Sequence, residues 1–131
     1  MDDMLNDLGD YIAGKAGEVV IAWEVLFGEL SIVTTRDGLN SLMKLLRDDS
    51  NCLLKVLVDI TATDYPERVE RFEIVYNLLS LSHNHRARVK VLTDENTPVP
   101  SIVPLFSAAG WFEREVWDMF GIFFSGHPDL R

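Results

Sequence analysis

The period of the apolar residues between Leu53 and Leu92 constrains the fold most. Leu54, Val56, Val58, Ile60 and Ala62 alternate with other residues, and so share one face of an extended segment. Phe72, Ile74, Tyr76 and Leu78 do the same in the next segment, and Ala87, Val89 and Val91 in a third, with Arg86, Arg88 and Lys90 pointing the other way. A repeat of two cannot line one side of a helix. The joints are short and polar: "TDYPERVER", with Pro66 inside it, and "SHNH". Three consecutive strands so joined predict an antiparallel meander, with one face on the core and the other wet or partnered. Helices must then pack mainly on one side.

The flanking segments supply those helices. Residues 2 to 17 place Met4, Leu5, Leu8, Ile12 and Ala16 at spacings of three and four, behind acids that suit a helix N-terminus. "EVVIAWEVLFGELSIVTT" predicts a hairpin turning at Phe27, Gly28 and Glu29. Asp37 is the expected cap of "GLNSLMKLLRDD", whose Leu39, Leu42, Met43, Leu45 and Leu46 form an apolar stripe. Pro98, Pro100 and Pro104 keep "TDENTPVPSIVPLF" extended across the surface, and a last helix is expected from Ser107 or Ala108 to Gly121. The predicted fold is α+β, in a single domain over residues 1–131, a length able to bury a core.

Charge and cysteine then limit function. Twelve Lys and Arg stand against twenty-one Asp and Glu, a net charge of -9, so phosphate is repelled and no nucleic-acid partner is expected. Residues 1 to 30 hold seven of the acids and one base, Lys15. Such a start excludes a mitochondrial transit peptide and lacks the apolar region of a secretory signal, which points to a soluble compartment. No apolar stretch reaches the ~20 residues of a membrane span. Cys52 is the sole cysteine, too few for an iron–sulfur cluster, a structural zinc of the usual kind or an internal disulfide, and it reads as core packing.

Few segments suggest chemistry. The glycines form neither GxGxxG nor GxxxxGK[ST]. His83 and His85 lie in a turn without a third ligand and read as turn residues, and Arg86, Arg88 and Lys90 as a solvated face paired with Glu70 and Glu73. The segment "GWFEREVWDMFG" is the exception. Phe112, Val116, Met119 and Phe120 share a core side, Arg114 and Asp118 can pair opposite, Trp111 and Glu115 flank them, and Glu113 and Trp117 fall on the border. Solvation explains charges but not tryptophans, which together with arginine are favoured at protein interfaces. A small acid–base enzyme using Glu113, Glu115 and His127 is the competing reading; it requires a closed pocket and a carboxyl group of raised pKa.

"EREVWDMFGIFFSGHPDLR" resembles the signature of the 30 kDa subunit family of respiratory complex I, the C subunits of NADH-quinone oxidoreductase. The resemblance extends upstream through "VPSIVPLFSAAGWF", "RARVKV" and "DITATDYPERVERFEIVYNLLSL". It implies a structural subunit of the peripheral arm that binds no redox cofactor itself, FMN and iron–sulfur clusters residing in partner subunits. It also implies contact with the quinone-site and iron–sulfur subunits, on the cytoplasmic side of a bacterial inner membrane. A related hydrogenase or ferredoxin-linked complex would use a similar subunit. The matching residues are Glu113, Arg114, Glu115 and Asp118, then Gly121, Gly126, His127, Pro128, Asp129, Leu130 and Arg131. With Trp111 and Trp117, the charged ones among them and His127 are the expected subunit-interface residues, and none is expected to be catalytic. Family members continue past "HPDLR" into an extension that wraps a partner, which this sequence lacks.

Overall fold

The computed structural model describes residues 2–130. Ten elements follow one another: α1 (Asp2–Ala16), β1 (Val20–Leu26), β2 (Glu29–Thr34), α2 (Leu39–Asp48), β3 (Val56–Asp64), β4 (Phe72–Ser80), β5 (His85–Thr93), β6 (Val99–Pro100), α3 (Ala109–Phe120) and β7 (Phe124–Ser125). A 3₁₀ turn over Gly17–Val19 leads from α1 into β1. The fold is α+β, with a largely antiparallel five-stranded sheet in the order β1-β2-β5-β4-β3. The meander β3-β4-β5 forms as its alternation predicts.

β2 joins the meander by pairing parallel to β5, from Leu30 beside Ala87 to Thr34 beside Val91. This inserts β5 between two strands and explains a corrected ion-pair expectation. Arg88 pairs with Glu29 of β2 at 3.1 Å, while Glu70 is bound by Arg36 at 2.6 Å and Glu73 by Arg68 at 3.7 Å. Sequence neighbours suggested β4 as the source of acids; the parallel crossover brings β2 instead.

The core gathers Leu30 and Ile32 of β2, Ile74, Tyr76 and Leu78 of β4, and Ala87, Val89 and Val91 of β5 beneath Leu5, Leu8 and Ile12 of α1 and Leu39, Leu42, Met43 and Leu46 of α2. α1 lies over β1 and β2, and α3 over β3. Cys52 is buried among these residues, where burial first and Asp49 second push its thiol up to about 12, as suits a packing residue. Three apolar assignments need correction. A bulge between Leu57 and Asp59 turns Leu57 inward and leaves Val58 exposed. Met4 and Met119 are exposed too, beyond the edge of their helices' buried stripes.

Asp37 does not cap α2. Gly38 occupies the cap position without a side-chain cap, and its N–H donates to Thr35 Oγ1 at 2.9 Å, so the threonine fixes the entry. The β3–β4 turn is held by Arg71, which donates to both oxygens of Asp64 at 2.8 and 2.7 Å and to Glu95 at 2.9 Å. Its planar fork suits that bidentate geometry.

Candidate functional site

The site is built where α3 meets the proline-rich segment before it and the Gly-His-Pro turn after it. Prolines deprive the first segment of backbone donors, so it cannot join the main sheet. It pairs through β6 with β7 in a short parallel ladder, with the Val99 and Ser101 N–H groups donating to Phe123 and Ser125 carbonyls at 3.0 and 2.9 Å. α2 holds its other flank: Asn40 donates to the Ser101 carbonyl at 3.2 Å and Arg47 to the Leu105 carbonyl at 2.9 Å.

Glu113 completes this framework. Its side chain has no solvent exposure, which corrects its expected place on the border of the helix. Oε1 accepts from the Ser101 hydroxyl at 2.7 Å, and Oε2 from the Ile102 N–H at 2.8 Å. A residue of α3 thereby supplies the acceptors for two donors of the preceding segment, the Ser101 hydroxyl and the Ile102 N–H. Burial raises the Glu113 pKa; the hydrogen bonds from Ser101 and Ile102, then the His127 ring, oppose that rise. Tyr76, beneath it, is wholly buried, and its ionisation is resisted by burial first and by the Glu113 charge second.

His127 locks the other side. Its Nδ1 accepts from the Asp129 N–H at 2.9 Å, which leaves the proton on Nε2 to be donated to the Gly110 carbonyl at 2.8 Å. Nε2 also lies 4.0 Å from Glu113 Oε1. Gly126 has φ 82, a left-handed conformation that glycine adopts without strain, and it turns the chain so that His127 faces the start of α3. The helix ends likewise on Gly121, at φ 74.

Outside this lock lies an open groove of about 520 Å³, bordered by Trp111, Arg114, Glu115, Asp118, His127 and Asp129. Trp111 is 69% exposed. Arg114 donates to Asp118 Oδ1 at 3.3 Å, as its four-residue spacing predicts, and also to the Asp129 carbonyl at 3.0 Å. Trp117 is half-buried, edge-on to Phe123 with ring centres 5.9 Å apart. Of the nine residues expected at an interface, six border the groove, Trp117 braces the helix, Glu113 supports it from within, and Arg131 lies outside the described residues. Sequence reasoning missed Ser101 and Gly110, whose parts depend on contacts eleven or more residues away and carry no local signal.

Glu113 and His127 are adjacent, and the carboxyl pKa is raised, as the acid–base reading requires. Glu113 is nevertheless absent from the groove wall and sealed from solvent, while Glu115 is exposed on the outer side. The geometry therefore gives substrate no path to the perturbed carboxyl group. Among the described residues no three His, Cys, Asp or Glu side chains gather as a metal site. His83 and His85 stack with ring centres 5.5 Å apart, their Nε2 atoms meeting the Ser50 and Cys52 carbonyls at 2.8 and 3.1 Å. They tie the α2–β3 loop to the meander.

The family model for the respiratory-chain NADH dehydrogenase 30 Kd subunit matches residues 32–131. The chain belongs to that family. Within the 30 Kd subunit family, it is 51% identical over 130 residues to the NADH-quinone oxidoreductase C subunit of Methylorubrum populi, covering 99% of this chain and 59% of the relative. The same-named protein of Paramagnetospirillum magneticum is 53% identical over 132 residues, covering 100% of this chain and 66% of the relative. The chain thus spans about three-fifths to two-thirds of the length of these curated relatives. The solved trypsin-resistant fragment (1-134) of Nqo5 superposes with a TM-score of 0.80 at 31% identity, over 97% of this chain and 99% of that one. A chain of an archaeal membrane-bound sulfane sulfur reductase shares the fold, with a TM-score of 0.80 at 24% identity over 93% of this chain and 71% of the other. Among the described residues, no helix is long and apolar enough to cross a membrane.

Proposed function

We propose that this chain is a single-domain, non-catalytic structural part of the 30 kDa subunit in the peripheral arm of an NADH:quinone oxidoreductase. It supports electron transfer from NADH to quinone, coupled to proton translocation, by holding together subunits that carry the FMN and iron–sulfur clusters, and binds no redox cofactor itself. Its neighbours are the quinone-site and iron–sulfur subunits, which keep it at the cytoplasmic face of a bacterial inner membrane. The observation that carries this reading is the exposed Trp111–Arg114 surface, fastened from within by Glu113 and His127. An exposed tryptophan beside a half-tethered arginine has the make-up of a docking hot spot. Identities of 51% and 53% to NADH-quinone oxidoreductase subunits favour that complex over a hydrogenase or ferredoxin-linked one.

The test is affinity purification of the tagged full-length protein from gently solubilised membranes. NADH:quinone oxidoreductase subunits and rotenone- or piericidin-sensitive NADH:quinone activity should accompany it. Recovery of the protein alone, or with a complex that does not oxidise NADH, contradicts the reading.

A further inference from the structure

Large apolar side chains crowd the end of the sheet where β1 turns into β2 and β4 into β5. Phe27 is 97% exposed, Leu81 75%, Met4 60% and Leu26 54%. Met4, Gly28 and Leu81 line one recess of about 400 Å³, so α1 and both turns contribute to a continuous patch. Within it the Phe27 turn lies at the β1 edge of the sheet, whereas α3 lies over β3 at the opposite edge, four strand spacings or roughly 19 Å across the sheet.

Phe27 is unfavourable there for two separate reasons. Leu26 pairs with Glu29, and the two residues between them, Phe27 at φ 53 and Gly28 at φ 75, are both left-handed. This is the hairpin turn that prefers Asn-Gly, because a bulky side chain in the left-handed region is strained. The ring also gains nothing from burial within its own chain. Strain persisting without a compensating contact points to a contact made elsewhere.

Charge indicates what makes that contact. Asp3 and Asp7 on α1 and Glu24 on β1 have no ion pair among the described residues, and Arg86 is the single Lys or Arg lining the recess. With a net charge of -9, the end repels an anionic lipid surface and also a second copy of itself. We infer that it docks on a neighbouring protein subunit, Phe27 entering an apolar recess whose rim carries Lys or Arg. This second contact rests on the assembly reading above and extends it to the opposite edge of the sheet.

The test uses the full-length protein co-expressed with the other oxidoreductase subunits. With Phe27→p-benzoylphenylalanine, ultraviolet light should form a cross-link to another subunit, at a segment with Lys or Arg within a few residues. A cross-link to lipid or to a second copy, or none in an assembled complex, overturns the inference. Phe27→Asn should lower incorporation at least tenfold, the scale of a hot-spot residue, while raising the Tm of the isolated protein by a few degrees through relief of the turn. Wild-type incorporation, or a lowered Tm, overturns it. Trp111→Ala is the parallel arm: if it weakens incorporation and Phe27→Asn does not, this inference fails while the assembly reading stands. If neither variant has an effect, the assembly reading fails as well.

Discussion

A buried carboxyl group bonded to a serine hydroxyl and a backbone N–H can be isolated by choosing what replaces it. Glu113→Gln keeps an acceptor for the Ile102 N–H and a polar partner for Ser101, so the expected cost at pH 7 is under about 1 kcal/mol. Glu113→Leu strands both donors and should cost roughly 3 kcal/mol, read from urea unfolding midpoints. The pH dependence has a definite sign. Because burial raises the folded pKa of Glu113, its contribution is fully present below the unfolded value and is lost as pH rises through the folded one. The stability of Glu113→Gln relative to wild type should therefore increase from pH 4 to pH 7; a flat difference would contradict the assignment. His85 behaves oppositely. Burial, helped by His83 and resisted by the bond to Cys52, lowers its pKa, so its contribution is present above about pH 6.5 and is lost as pH falls through the folded value. His85→Gln should flatten the acid side of the stability profile. The helical wheel could pair Arg114 with Asp118 but could not place Glu113, because the demand for its carboxyl group arises in another segment, from the Ser101 hydroxyl and the Ile102 N–H.

At the scale of elements, α1 offers a sharp test. A β-carbon on Gly9 would collide with the Trp23 ring of β1, so helix and strand approach here as closely as a glycine permits. Elsewhere in an exposed helix, Gly→Ala stabilises by about 1 kcal/mol. Gly9→Ala should instead destabilise by roughly 1–3 kcal/mol, the cost of overpacking, seen as a fall in Tm. A rise in Tm would show that the contact is looser than described. The meander, three helices and first hairpin were legible because each rests on a local period or turn. The β2–β5 parallel pairing, the β3 bulge and the β6–β7 ladder were not, since each depends on which distant strand is available as a partner. Thr35 in place of Asp37 at the start of α2 shows the same limit on a smaller scale: both residues suit such a position, and backbone geometry selects between them.

Across the whole molecule, the sheet and helices act as a frame that presents α3 at one edge and the Phe27 turn at the other. The resemblance carried by "EREVWDMFGIFFSGHPDLR" directs attention to α3 and the turn after it, whereas in the sequence Phe27 reads only as part of a turn, because neither its exposure nor its backbone strain can be seen in a one-dimensional pattern. The proposed function requires that the Trp111 surface serve assembly and not the stability of its own chain. The direct measurement is incorporation of full-length Trp111→Ala into the membrane-bound oxidoreductase, alongside the Tm of the same purified variant. The expected result is incorporation at least tenfold lower with Tm unchanged within about 2 °C, since the side chain is 69% exposed. Wild-type incorporation at unchanged Tm, or a loss matched by a large fall in Tm, would contradict it.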